Sequence, residues 1–411
     1  FCILLINKSA VTSQILDYET ENFIKIIIDE IINVNKINKK IKFKILSDNK
    51  INAFVDQNNV IYITSALIEY SPDYVALTSV IAHEIGHIDK NHVAERISSS
   101  DKLSKFKNIS NLSIIAGSLI TSNPQVLQGV ALSSAGTSNL FLNFSKNQEI
   151  EADIYSIETL KKLKINSNSI IDLLKTIEKK AIKKGLTKDK QRYSTHPYFE
   201  DRIKLINFLN VNEKQSFNRK LNDQFMFIKA KFLGYSSNIN LINKLKDPYR
   251  SYSESIHYAK EGRLNDSLKK INYLISINKD NISLIETKAD ILFSHGYTKE
   301  AIDFYKIVVN NYPNNHYAQI SIFANNDIQD KTKAEVEIIF FKNINLLKKY
   351  YNNKNIILKF IKLAEDINQK EWVEFLNFWL NNQSNDKNYL NQGFEKYRKS
   401  NDKDLRELIK I

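Results

Sequence analysis

Apolar residues recur at helical spacing through Tyr18–Asn35, where Phe23, Ile24, Ile27, Ile28 and Ile31 form one stripe. That stretch therefore predicts a helix packed on a core. Three short runs with strand character follow, at Lys42–Leu46, Ala53–Val55 and Val60–Thr64. Asn58 and Asn59, between the last two, suit a tight turn because Asn tolerates positive φ. Over residues 74–96 the period returns to that of a helix, and the helical pattern then runs almost unbroken along the chain. The first ~200 residues thus predict a small antiparallel sheet packed on helices, an α+β domain.

The pattern changes across residues 235–252, a polar, Asn-containing stretch with Pro248 that reads as a domain boundary. Beyond it, Gly262 and Gly296 stand about 34 residues apart, each between two helical segments. The second unit carries Gly296-Tyr297-Thr298-Lys299-Glu300-Ala301-Ile302, then Tyr305 and Tyr312-Pro313. These match the tetratricopeptide pattern of a turn glycine, a small residue for close helix packing, an aromatic, then a terminating proline; the alternative is an ordinary helical domain with chance similarity. The first unit is weaker, with Ser267 where Ala is usual. The expected organisation is residues 14–235 as the α+β domain and 236–411 as an all-α, tetratricopeptide-like helical repeat. Residues 1–13, opening on Phe1-Cys2-Ile3-Leu4-Leu5-Ile6, read as part of a signal peptide, or else as a buried first strand. A further apolar stretch, 112–135, is interrupted by Thr121-Ser122-Asn123-Pro124-Gln125 and falls short of the ~20 residues of a membrane span. It reads as two packed helices, with peripheral contact to a bilayer as the alternative.

Composition narrows the function classes. The formal net charge is +13, but the excess is mostly Lys spread along the chain, without an Arg-rich or aromatic-basic segment. This is a solvated surface, and no nucleic-acid partner is expected. The single cysteine, Cys2, excludes intrachain disulfides and a multi-thiolate metal site.

The chemistry is carried by His83-Glu84-Ile85-Gly86-His87. On a helix, positions i and i+4 share a face, so both imidazoles can reach one metal ion, while Glu84 on the adjacent face can act as a base. This is the zinc hydrolase arrangement, and it needs a third protein ligand. Position 93 is Val, which excludes the metzincin spacing. His92, on a continuous helix, would lie nearly opposite His83, and is expected to pack or hydrogen-bond locally rather than bind metal. A later helix, residues 147–163, offers Glu149 and Asp153 on one face. One could ligate while the other orients a ligand histidine, or the pair could simply be a solvated acidic helix start; spacing alone leaves both open.

Together, His83-Glu84-Ile85-Gly86-His87 with His92 and Arg96, then Glu149-x-x-Ala152-Asp153, resemble the gluzincin metallopeptidases, the family of the HtpX, Oma-type and CAAX prenyl proteases. Asn52-Ala53-Phe54 upstream and Thr195-His196-Pro197 with Arg202 downstream extend the resemblance over about residues 50–203. The layout is most similar to periplasmic members with a C-terminal tetratricopeptide domain. The resemblance implies a zincin-like fold, one Zn2+ per chain, His83, His87 and Glu149 as ligands, and Glu84 as the base. It also implies Asp153 as a partner of a ligand histidine, and His196 as an oxyanion stabiliser or a resting-state ligand. The strand Val60, Ile61, Tyr62, Ile63 and Thr64 corresponds to the edge strand on which substrate backbone pairs. Two departures stand out: Asn58-Asn59 where the family often has Gly-Gly, and Ser145-Lys146 where it usually has Arg. Lys keeps the charge but loses the bidentate fork.

The implied activity is hydrolysis of peptide bonds in unfolded or misassembled envelope proteins, with the repeat domain recruiting substrates or an outer-membrane assembly complex. The implied location is the periplasm. The alternative is a non-proteolytic tetratricopeptide chaperone or scaffold with a latched or vestigial zinc site; an intact Glu84 argues against it, because a purely structural site needs no base.

Overall fold

The computed structural model describes residues 14–95, 144–183, 199–209, 216–325, 328, 330–351, 354–382 and 387–410. The chain divides into two compact units, Phe1–His257 and Tyr258–Ile411.

In the first unit, β1 (Gln14–Ile15) leads into α1 (Tyr18–Asn35), whose N-terminus is capped by Asp17 accepting from the Thr20 amide at 2.8 Å. The apolar stripe of α1 is buried, and it joins Ile45, Ile61, Ile63, Ile81 and Ile85 in one core. The strands β2 (Lys42–Leu46), β3 (Ala53–Val55) and β4 (Val60–Thr64) are those expected, but their arrangement is not. The sheet order is β1-β2-β4-β3, with β2 parallel to β4 and the other two pairs antiparallel. The sheet is therefore mixed rather than antiparallel. Val60–Thr64 is an interior strand, hydrogen-bonded on both sides, and not the edge strand expected for substrate pairing. The physical reason lies in what pairs with it on each side. The hairpin from β3 to β4 takes one side of it, closed by Asn59 at φ 58° and by Asp56 accepting from the amides of Asn58 and Val60 at 2.9 Å. That leaves the other side of β4 to β2.

After α2 (Ser65–Tyr70), helix α3 (Tyr74–Asp89) runs through the middle of the unit, buried at every position from Tyr74 to Ile88 except Val80. It is shorter than the periodicity suggested. Asn91 adopts φ 61°, and that left-handed residue turns the chain out of the helix. Helices α4 (Lys146–Lys162), α5 (Asn168–Lys183), α6 (Phe199–Leu209) and α7 (Arg219–Ser236) complete the packing around α3. The short α8 (Ile239–Ile242) precedes α9 (Tyr249–Lys260), in which the two units meet in sequence. This division falls later than residue 235 because the start of α9 packs on α7. There, Phe227 meets Tyr249 and Tyr252 at ring separations of 5.2 and 5.8 Å.

The described residues of the second unit are helical apart from their connections. Helices α10 (Leu264–Ile277), α11 (Ile282–Ser294), α12 (Thr298–Asn311) and α13 (His316–Asn325) follow one another with short links. Gly262 (φ 77°) and Gly296 (φ 85°) make the left-handed turns that L side chains resist, just before α10 and α12. Small residues let α11, α12 and α13 approach: Ala289, Ala301 and Ala318 share one core with Tyr305 and Val308. Farther on lie α14 (Lys333–Lys342), α15 (Ile344–Lys349), α16 (Lys354–Asp366) and α17 (Lys370–Asn382). Among the described residues no helix is long and apolar enough to cross a membrane. The stretches 1–13 and 112–135 lie outside the described residues, as does His196.

Candidate metal centre

Two helices build the site, and a glycine lets them do it. Gly86 faces α4 so closely that an added Cβ would lie 3.2 Å from Tyr155 Cβ and 3.3 Å from Ala152 Cα. Ser145 and Gln148 form a capping box that starts α4 at a defined point, one turn before Glu149. The carboxylate is thereby delivered to the face of α3 that carries both histidines.

His83, His87 and Glu149 are all buried, and one ligand atom from each lies within 4.8 Å of the others. His83 Nε2 is 3.1 Å from His87 Nε2, 3.5 Å from Glu149 Oε2, and the second Glu149 oxygen is 3.6 Å from His87 Nε2. The other ring nitrogens point outward. His83 Nδ1 meets Asp153 Oδ1 at 2.9 Å, and His87 Nδ1 meets His92 Nδ1 at 3.0 Å. Phe144 stacks on the His87 ring at 3.6 Å. With each Nδ1 committed outward, two imidazole nitrogens and a carboxylate converge on one buried point. Such an electron-rich set fits a borderline-soft cation of zinc type.

Arg202, from α6, anchors the rear of the site. Its Nε donates to Asp153 Oδ2 at 2.8 Å and its Nη2 donates to Asp153 Oδ1 at 2.7 Å. Burial alone would raise the Asp153 pKa, but Arg202 and the hydrogen bond from His83 outweigh it and hold Asp153 below the usual carboxylate range. For His83, burial and Arg202 press the pKa down. The hydrogen bonds to Asp153 and Glu149 prevail, so His83 lies above its ordinary value. Lys146, standing where Arg is usual in the resembled family, makes a 2.6 Å ion pair with Asp201. That pair is about half exposed, so it contributes little.

Glu84 is buried beside His83, and both line a cavity of about 360 Å³. Asp153 and Arg202 are also among its polar lining; Ile157, Ile170, Leu173, Leu174 and Ile177 form much of its apolar wall. Asn52 and Ala53 bring the start of β3 to the same cavity.

Of the residues singled out in the sequence, His83, Glu84, His87, Glu149 and Asp153 are together, and β4 is interior to the sheet. Two contributors were legible in the sequence only in part. Arg202 entered only as part of the resembled pattern, without a role, because its partner Asp153 is on another helix. His92 does hydrogen-bond locally, as expected, but to His87 rather than on the far side of a continuous helix; Asn91, a helix-stop residue, is the signal for that placement.

Residues 19–209 match the model of Peptidase family M48. The chain is 22% identical over 283 residues to the beta-barrel assembly-enhancing protease of Yersinia pestis, covering 66% of this chain and 57% of that protein. To the protein of the same name from Escherichia coli (strain K12) it is 24% identical over 293 residues, with the same shares covered. The chain thus spans little more than half the length of these relatives.

Proposed function

We propose that this chain, a member of peptidase family M48 through its residues 19–209, is a zinc-dependent metalloendopeptidase that cleaves unfolded or misassembled envelope proteins. The observation that carries this reading is the convergence of His83, His87 and Glu149 beside the buried Glu84, which lines a largely apolar cavity. A zinc ion held by those three residues would supply Lewis-acid polarisation of the scissile carbonyl and a water acidified towards neutral pH.

The chain's own residues do the rest. Glu84 takes a proton from the attacking water and returns it to the leaving amine. Asp153, held by Arg202, fixes the His83 ring so that its Nε2 faces the centre. The cavity receives an apolar side chain next to the scissile bond, which favours segments that are buried in a folded substrate and exposed in a misassembled one. His196 adds charge stabilisation to the oxyanion or latches the site at rest.

The helical unit supports recruitment. Its left-handed glycines before α10 and α12, and its alanine-lined helix contacts, suit a tetratricopeptide-like stack that binds substrates or an outer-membrane assembly complex. The names of the relatives, which refer to β-barrel assembly, favour outer-membrane barrel proteins as substrates and the periplasm as the location.

The test is cleavage of an unfolded outer-membrane barrel protein by the purified, zinc-loaded chain, with Glu84→Gln in parallel. Cleavage by the parent, lost on chelation and reduced about 10²- to 10⁴-fold in a variant that still binds zinc, is the expected result. Zinc binding without cleavage by either protein would transfer the assignment to a chaperone or scaffold.

A further inference from the structure

The two histidines of the centre are braced in different ways. His83 meets a buried carboxylate directly, and Arg202 pins that carboxylate. His87 meets another imidazole, His92, which is buried, and His92 Nε2 lies 3.1 Å from Glu151 Oε2. The Glu151 side chain is 54% exposed, so this second chain runs from the centre out to solvent.

We propose that His92 and Glu151 are positioning residues that set the tautomer of His87 and thereby the metal affinity of the centre. The inference rests on reading His83, His87 and Glu149 as the metal ligands. For His87 Nε2 to offer a lone pair to a cation, the single N–H of its neutral ring must be at Nδ1. That N–H then donates to His92 Nδ1, which lies 3.0 Å away. His92, accepting at Nδ1, must carry its own hydrogen at Nε2, and it donates that hydrogen to Glu151. Every hydrogen in the chain is therefore directed outward, and Glu151 is the charge that directs them.

The turn that makes this possible is itself held. Lys90 caps α3, Asn91 adopts φ 61°, and Lys39 Nζ donates to the carbonyls of Ile88 (2.5 Å) and Asp89 (3.1 Å) and to Asn91 Oδ1 (2.7 Å). A cation at the C-terminal end of a helix also suits the helix dipole. His92 is thus folded back onto His87 by a built turn.

The experiment is competition for zinc between a chromophoric chelator and the full chain, using the parent and variants at both positions. His92→Leu removes the acceptor and should weaken zinc binding about 10- to 100-fold. His92→Gln, whose carbonyl can accept from His87 Nδ1–H, should recover most of that loss. At the solvent end, Glu151→Leu should weaken binding and Glu151→Gln should weaken it less. The visible bands of the cobalt-substituted protein should shift in the two Leu variants and stay near the parent's in the Gln variants. Parent-like zinc affinity in a folded His92→Leu would overturn the proposal, as would His92→Gln as weak as His92→Leu. Should His92→Leu not fold, parent-like affinity in Glu151→Leu overturns it instead. A chain that follows this order of affinities but cleaves nothing would sustain the relay and reject the peptidase reading, whereas a parent that binds no zinc would reject both.

Discussion

The first unit concentrates six buried ionisable groups at one point, besides scaffold pairs such as Asp17 with Lys231, whereas the second sets carboxylates singly between helices. His83, Glu84, His87, Glu149, Asp153 and Arg202 are all buried within a single site. In the second unit, by contrast, Asp290 on α11 accepts from the hydroxyls of Tyr305 on α12 (2.5 Å) and Tyr317 on α13 (2.7 Å). Glu286, also on α11, accepts from Asn315. There Glu286, buried, and Asp290, half-buried, each tie neighbouring segments together. Farther along that interior, aromatic rings pack together, with Phe340 edge-on against Phe360 at 5.2 Å and Trp372 at 5.3 Å. Concentrating six ionisable groups out of water is expensive and is sustained where chemistry needs it. Spreading carboxylates between helices specifies how those helices pack.

The contrast is broken most severely at Arg202. Arg202→Met leaves Asp153 buried without its guanidinium, and the first unit should lose about 3–5 kcal/mol, read from urea unfolding of the metal-free chain by amide exchange at α3 and α4. An unchanged midpoint would mean that the ion pair does not brace the site.

The corresponding break in the second unit is Trp372→Ala, which should cost about 3 kcal/mol or more. Both tryptophans, Trp372 and Trp379, belong to this unit, so emission from Trp379 reports its unfolding alone. Cleavage of a short unstructured peptide should persist in this variant under native conditions. Loss of that activity would show that the second unit is needed for more than recruitment.

A smaller effect separates buried charge in the scaffold from buried charge at the site. Lys229 donates to the Ser71 carbonyl, and burial pushes its pKa down to about 8, against the pull of Asp73 and Glu69. Between about pH 8 and 10 the unfolded chain holds a proton on Lys229 that the folded chain releases, so stability should rise with pH across that window. From pH 7.5 to 9 the gain should be about 1–2 kcal/mol, and Lys229→Met should abolish it. A parent and variant with parallel profiles in urea melts would place the proton elsewhere.

The mildest change is Tyr317→Phe. Asp290 keeps the hydrogen bond from Tyr305, so the expected loss is about 1 kcal/mol, followed by Trp379 emission. A loss several times larger would mean that the two hydroxyls act as one unit.

Much of this organisation was legible residue by residue. The stripe of α1, the strands at Lys42–Leu46, Ala53–Val55 and Val60–Thr64, and the glycine turns at Gly262 and Gly296 all follow from local pattern. Order within the sheet did not, because β4 carries the same residue types whether one side or both are paired. Burial does not separate the two cases either, since β3 is buried at every position and yet lies at the edge. The end of α3 was missed for a related reason: residues 90–96 keep a helical pattern, and only Asn91 marks the turn.

The sequence by itself determined what one turn of helix can determine. His83 and His87 share a face, with Glu84 beside them, because the 3.6-residue repeat places them so whatever surrounds the helix. Only the tertiary structure decided what meets that face. Gly86 admits α4 close enough to deliver Glu149, Arg202 arrives from α6 to hold Asp153, and the turn at Asn91 folds His92 back onto His87. These are contacts between segments distant along the chain or beyond a helix end. No periodicity reaches across such gaps; packing selects them.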